Sequence, residues 1–225
     1  MPPVTLAFTT MSSQDRAHPI RSLLKRLPAY ASFKQAAHYP DYWWWKLRGQ
    51  PRRIPHIVKQ QTVLEYAQRF GLATMVETGT YYGEMVAAVA GRFRRIYSIE
   101  LDPDLAARAQ VRFRGLPHVV VLLADSQAAV PQLVRELNQD CLWWLDAGYC
   151  GWEGIVGDSS RLGAEMGAVL ADRQHEHVIL MDDADGVQGL NELIASIRAN
   201  YPERQVEIQH NIIRITPRLN KPTAR

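Results

Sequence analysis

The stretch MVETGTYYGEMVAAVA, residues 75–90, decides the fold. A short apolar run ends in Glu77, a turn carrying Gly79 and Gly83 follows, and an apolar pattern of helical spacing begins at once. Strand, glycine turn and helix in direct succession open a parallel α/β unit.

Working outward, the same alternation continues. Residues 62–70 predict a helix leading in, with Gly71 as its stop. The first strand covers residues 74–77, and a helix starts near Gly83. A second strand covers 95–101, and Asp102-Pro103 supplies a side-chain cap and a first-turn proline for the helix after it. HVVVLLAD (118–125), CLWWLDA (141–147) and HVILMDDA (177–184) read as strands three to five. Helices over 127–137, 161–172 and 190–199 follow them in turn. The closing run QVEIQHNIIRITPR predicts two strands joined at His210-Asn211, an antiparallel hairpin. The expected fold class is α/β: a doubly wound, mostly parallel sheet.

The first 60 residues differ. SLLKRL and residues 29–37 have helical periodicity, but Pro28, Pro40, Pro51 and Pro55 divide them. We read residues 1–58 as a helical cap and 59–225 as the sheet domain. Residues 1–60 hold ten Lys and Arg against Asp15 and Asp41, although the whole chain carries only +3. A solvated basic arm explains that asymmetry, and attraction of an anionic partner is the alternative. Nucleic acid is not the expected partner. No recognition motif accompanies the charge, and Trp43-Trp44-Trp45 are contiguous rather than spread along a groove. A homo-oligomer formed through this region is a further expectation.

At 225 residues and 47% hydrophobic content, the chain can bury a substantial core. No apolar run approaches the ~20 residues of a membrane span, which predicts a soluble protein without a transmembrane segment. The start has neither the basic opening nor the continuous apolar core of a secretory signal. Cys141 and Cys150 do not form a disulfide framework, and a reducing cytoplasm is the expected location.

Ligands of open parallel sheets bind beyond the carboxyl ends of the strands. Those ends carry Glu77, Glu100, Asp125, Asp146 and the pair Asp182-Asp183. One such acid is often a helix cap, but five strand ends in register exceed what capping needs. A dinucleotide turn reads G-x-G-x-x-G and presents backbone amides to a pyrophosphate. Here the turn is E-T-G-T-Y-Y-G, with the middle spacing lost and a carboxylate in front. That charge repels a diphosphate and suits an ammonium group. S-adenosylmethionine has an ammonium and a sulfonium and no phosphate. A nicotinamide cofactor is therefore disfavoured, while Glu100 suits ribose hydroxyls in either case.

VETGTYYG, IYSIELD, LLADS and WLDAGY together resemble the class I S-adenosylmethionine-dependent methyltransferases. The ETG element is similar to that of macrocin-type sugar O-methyltransferases, and the likeness runs over about residues 55–217. The resemblance implies a seven-stranded sheet with an antiparallel last strand. It puts Glu77 and Gly79 by the methionine part of the cofactor, counts Thr80 and Gly83 among the cofactor-binding residues, and puts Glu100 on the ribose and Asp125 and Ser126 near the adenine. It also implies a Mg²⁺ site formed by Asp146 after strand four and Asp182 and Asp183 after strand five. The loop GYCGWEG departs from the acid-bearing pattern of the resembled enzymes and leaves the acceptor open.

Hydroxyls are poor nucleophiles, so transfer to one calls for a base or a metal. Asp146 is the candidate base, and strands four and five are expected to be neighbours, which clusters three carboxylates. Without metal, Asp182 caps a turn, Asp183 faces solvent and Asp146 orients substrate. Tyr149 and Trp152, in the glycine-rich loop 148–160, are candidate substrate walls. Tyr81 and Tyr82 are read as a cofactor cover, with one of the two in the core. His175 and His177 fall at the opposite end of the sheet, and His210 is read as structural. Three functions remain: a Mg²⁺-assisted O-methyltransferase acting on a small-molecule or sugar hydroxyl, a metal-independent transferase, and a silent cofactor-binding module that docks a partner through its basic arm.

Overall fold

The computed structural model describes residues 44–49, 54–146 and 159–218. After a helical turn at 44–47, the order is α1 (His56–Arg69), β1 (Thr74–Thr78), α2 (Glu84–Val89), β2 (Arg95–Glu100), α3 (Pro103–Phe113), β3 (Val119–Leu123) and α4 (Ser126–Glu136). Then come β4 (Leu142–Leu145), α5 (Ser159–Ala171), β5 (Val178–Met181), α6 (Leu190–Asn200), β6 (Arg204–Gln209) and β7 (Ile212–Pro217).

Seven strands form one sheet in the order β3-β2-β1-β4-β5-β7-β6. The first five are parallel, and β7 lies antiparallel between β5 and β6. Reversal of strand order between β1 and β4 opens a crevice at their carboxyl ends. The expected fold class and the terminal hairpin are both present. The hairpin turn places His210 and Asn211 at φ of 52° and 54°, the left-handed pair that two-residue turns require.

Central strands are buried along their whole length: TMVET in β1, LWWL in β4 and VILM in β5. Each therefore feeds two cores. Trp143 enters one with Ile179, Met166, Val169 and Ile213. Trp144, pointing the other way in the pleat, enters the second with Tyr66, Met75, Phe113 and Leu180. No helix among the described residues is long and apolar enough to cross a membrane.

Three local expectations need correction. Helix α1 begins at His56 and not at residue 62, because Pro55 sits outside the first turn as an extended cap and the helix can start directly behind it. Strands β4 and β5 are shorter than their sequence patterns, because the acidic ends have left the ladder. Neither Tyr81 nor Tyr82 is in the core. Tyr81 is exposed at φ 51°, and the two rings meet edge to face at 4.2 Å.

Candidate functional site

The crevice begins at the glycine turn. Gly79 lies at φ 82° and Gly83 at φ 70°, backbone conformations in which a side chain is strained. A Cβ on Gly83 would stand 2.7 Å from the ring of Phe113, whose own side chain is buried in the core. Gly83→Ala is expected to cost roughly 2 kcal/mol or more, from left-handed strain added to overpacking. Urea unfolding should show this, and an unchanged midpoint would contradict the assigned turn.

Glu77 is buried at the end of β1 and accepts a 2.5 Å hydrogen bond from the Ser98 hydroxyl. Ser98 in turn lies 2.6 Å from the Thr80 hydroxyl, and when Glu77 is ionised the Ser98 proton is committed to it and Thr80 is the donor. Burial pushes the Glu77 carboxyl up to about 8, with Asp146 and Glu100 adding to the rise and the Ser98 bond opposing it. Glu100 ends β2 and accepts the Tyr81 N–H at 2.7 Å and the Asp102 N–H at 3.0 Å. The Tyr81 amide thus fastens the turn to the acid. Asp125 caps α4 through the Gln127 N–H at 3.0 Å. The Ser126 hydroxyl turns inward, donating to Glu165 at 2.5 Å.

The second half of the site stands at the ends of β4 and β5, which pair side by side. Oxygen atoms of Asp146, Asp182 and Asp183 lie within 4.8 Å of one another. Asp182 is buried, and its Oδ1 has no hydrogen-bond partner. Asp183 adopts φ 55°, a costly conformation for a residue with a side chain. The hairpin turn braces it: Ala184 N–H donates to the Asn211 carbonyl at 2.9 Å, and Asp185 N–H to the Asn211 side chain at 2.8 Å. His210 in that turn meets Trp45 edge to face at 5.2 Å. Asp146 is held above the usual carboxylate range, first by burial and then by Asp182, with Lys59 opposing. Tyr149 and Trp152 lie outside the described residues, as does Cys150.

Two residues here escape a sequence reading. Lys59 reaches across from α1 and forms an ion pair with Asp182, with its ammonium also 3.8 Å from Asp183. Glu165, buried on α5, accepts from Thr78 at 3.3 Å as well as from Ser126, and the Asp146 N–H donates to Thr78 at 3.2 Å. Glu165 thereby links the ends of β1 and β4 to the start of α4. Its signal was its place one turn before Val169 on the apolar stripe of α5. Lys59 had the same signal, one turn before the buried Val63 on α1.

At the opposite end of the sheet, Asp172, His175 and His177 also gather within 4.8 Å. The hydrogen bonds of His177 account for both of its ring nitrogens without a metal. His177 Nδ1 accepts the Cys141 N–H at 3.1 Å, so in the neutral ring Nε2 carries the proton and faces Asp172 at 3.1 Å. Neither nitrogen has a lone pair to give. The cluster is a structural clasp, tightened by buried Arg204 donating to the His177 carbonyl at 2.7 Å.

The strand order, the glycine turn and the acids beyond it give this chain the fold of the S-adenosylmethionine-dependent methyltransferases. Solved structures share it at low identity. Podospora anserina methyltransferase PaMTH1, determined with S-adenosylhomocysteine, has 13% identity and a TM-score of 0.57, over 95% of this chain and 100% of that one. An O-methyltransferase from Bacillus cereus in complex with S-adenosylhomocysteine has 16% identity and a TM-score of 0.54, over 71% of this chain and 80% of that one. No protein-family profile matches the chain, and no curated protein sequence does.

Proposed function

We propose that this protein is an S-adenosylmethionine-dependent methyltransferase acting on a hydroxyl of a small molecule or sugar. The observation that carries the reading is Glu77, a buried carboxyl behind a glycine turn, pushed up to about 8 by burial, which a cationic ligand would stabilise as an anion. The Bacillus cereus neighbour, itself an O-methyltransferase, supports oxygen as the acceptor atom.

In this reading Glu77 holds the cofactor's ammonium, while Gly79, Thr80 and Gly83 shape the turn against its methionine part. Glu100 receives the ribose hydroxyls on the lone pairs its two amide bonds leave free. Asp125 and Ser126 border the adenine. Bound S-adenosylmethionine would supply the methyl group from its sulfonium to the acceptor oxygen and keep the carbon–sulfur electron pair as S-adenosylhomocysteine. Asp146 receives the hydroxyl proton. Its raised affinity for a proton suits a base that must take one from an alcohol.

The acid cluster also fits a Mg²⁺ ion. Asp146, Asp182 and Asp183 offer hard oxygen donors, and Asp182 Oδ1 is a buried acceptor with nothing bonded to it. A bound Mg²⁺ would lower the pKa of a coordinated hydroxyl. A metal-independent transferase is the second reading, and the Lys59 ammonium at the cluster favours it.

Calorimetric titration with S-adenosylhomocysteine, with and without Mg²⁺, tests the proposal. One saturable site for S-adenosylhomocysteine and none for NAD is the expected result. NAD binding in place of S-adenosylhomocysteine would overturn it.

A further inference from the structure

Lys59 is not an ordinary surface lysine. Its side chain is 18% exposed, and it is aimed by the helix that carries it. Ile57 and Val58, the residues before it, are buried with Trp45. Gln60, the residue after it, is buried and bonds the Glu84 carbonyl at 3.4 Å. One turn on, Val63 is fully buried. The α1 backbone at Lys59 is therefore fixed by four buried neighbours, which turn its side chain toward the strand ends. That direction ends among Asp182, Asp183 and Asp146. The ammonium is paired with Asp182 and lies 3.8 Å from Asp183, so its charge is set directly against those carboxylates.

We propose that Lys59 is the acid cluster's own counter-ion and that it weakens the binding of divalent cations there. This rests on the reading of the cluster as part of a methyltransferase site. A divalent ion placed among the same three carboxylates meets a fixed positive charge, whether or not the ammonium moves aside. At a separation of ~5 Å in partly buried surroundings that repulsion is large compared with the interactions that tune metal affinity. Lys59 also bonds only Oδ2 of Asp182, so one oxygen of that buried carboxylate remains for an acceptor or a cation. The device gives the site a permanent positive charge that does not depend on metal supply.

The test is Mn²⁺ binding to the full chain, followed by paramagnetic resonance of the free ion, for the wild type, Lys59→Met and Lys59→Arg. Lys59→Met is expected to bind Mn²⁺ about tenfold more tightly or better. Lys59→Arg, which keeps the charge, is expected to stay within about threefold of the wild type. Equal or weaker Mn²⁺ binding by Lys59→Met would overturn the proposal, as would tightening in Lys59→Arg of the size seen with methionine. Titration of the same three proteins with S-adenosylhomocysteine separates the two levels. If all three bind it while Mn²⁺ affinity is unchanged, the counter-ion proposal alone fails. If the wild type binds none, the methyltransferase reading fails. Lys59→Gln, neutral but polar, serves where the methionine variant does not fold: the same tightening of Mn²⁺ binding is expected, and equal or weaker binding would overturn the proposal.

Discussion

Replacing Glu77 by glutamine is expected to weaken S-adenosylhomocysteine binding by about 10- to 100-fold, the loss of a charge-assisted hydrogen bond to the ligand's ammonium. The same change is expected to stabilise the ligand-free protein. The sign follows from the direction of the shift. An unfolded chain releases the Glu77 proton near the ordinary carboxyl value of 4.5, whereas the folded chain retains it to about 8. Between those values the unfolded state binds fewer protons, so rising pH costs folding stability across the window. Glutamine keeps the acceptor for Ser98 and has no proton to lose, so its melting temperature should not fall between pH 5 and 8 on this account. Cofactor binding should run the other way in the wild type. An ammonium stabilises the carboxylate, so below pH 8 binding expels a proton and affinity rises with pH. Calorimetry in two buffers of different ionisation heat reads that proton directly. Unchanged affinity in Glu77→Gln would show that the carboxyl faces no cation.

These charges explain what the sequence could and could not reveal. Strands β1, β4 and β5 were legible because they are buried on both sides and read as unbroken apolar runs between turn signals. The acids at their ends were legible for the same reason, since a carboxylate that stops such a run has to be at the rim. Clustering of Asp146 with Asp182 and Asp183 depended on β4 and β5 being neighbours, which the family resemblance implied and the sheet order bears out. Lys59 was another matter. Its partner Asp182 lies 123 positions away, and α1 looked to begin only after it. A lysine between polar glutamines and scattered valines reads as solvated until the helix is seen to start at His56. Glu165 was hidden differently. Its place on the apolar stripe of α5 marks it as buried, but its partners Thr78 and Ser126 come from two other elements and no local pattern names them.

Asp146→Asn is expected to lower methyl transfer by about 10²- to 10⁴-fold, the usual contribution of a positioned base, while leaving S-adenosylhomocysteine affinity within about threefold. Labelled S-adenosylmethionine and a panel of hydroxyl acceptors that the wild type methylates provide the measurement. Asparagine matches the carboxylate in shape, and the Asp146 N–H can keep its bond to Thr78, so the local backbone has no reason to move. What changes is the ability to take a proton. Burial and the neighbouring Asp182 hold the Asp146 carboxyl above its usual range, so the wild-type rate should rise with pH as that group deprotonates. The asparagine variant should lack this limb. A flat wild-type profile with an intact variant rate would instead assign Asp146 to orientation. Equal loss of turnover and cofactor affinity would mean that the acid belongs to the cofactor pocket. Under the proposed function the two carboxylates would divide the crevice by what each one meets: Glu77 a charge that arrives with the cofactor, and Asp146 a proton that leaves the acceptor.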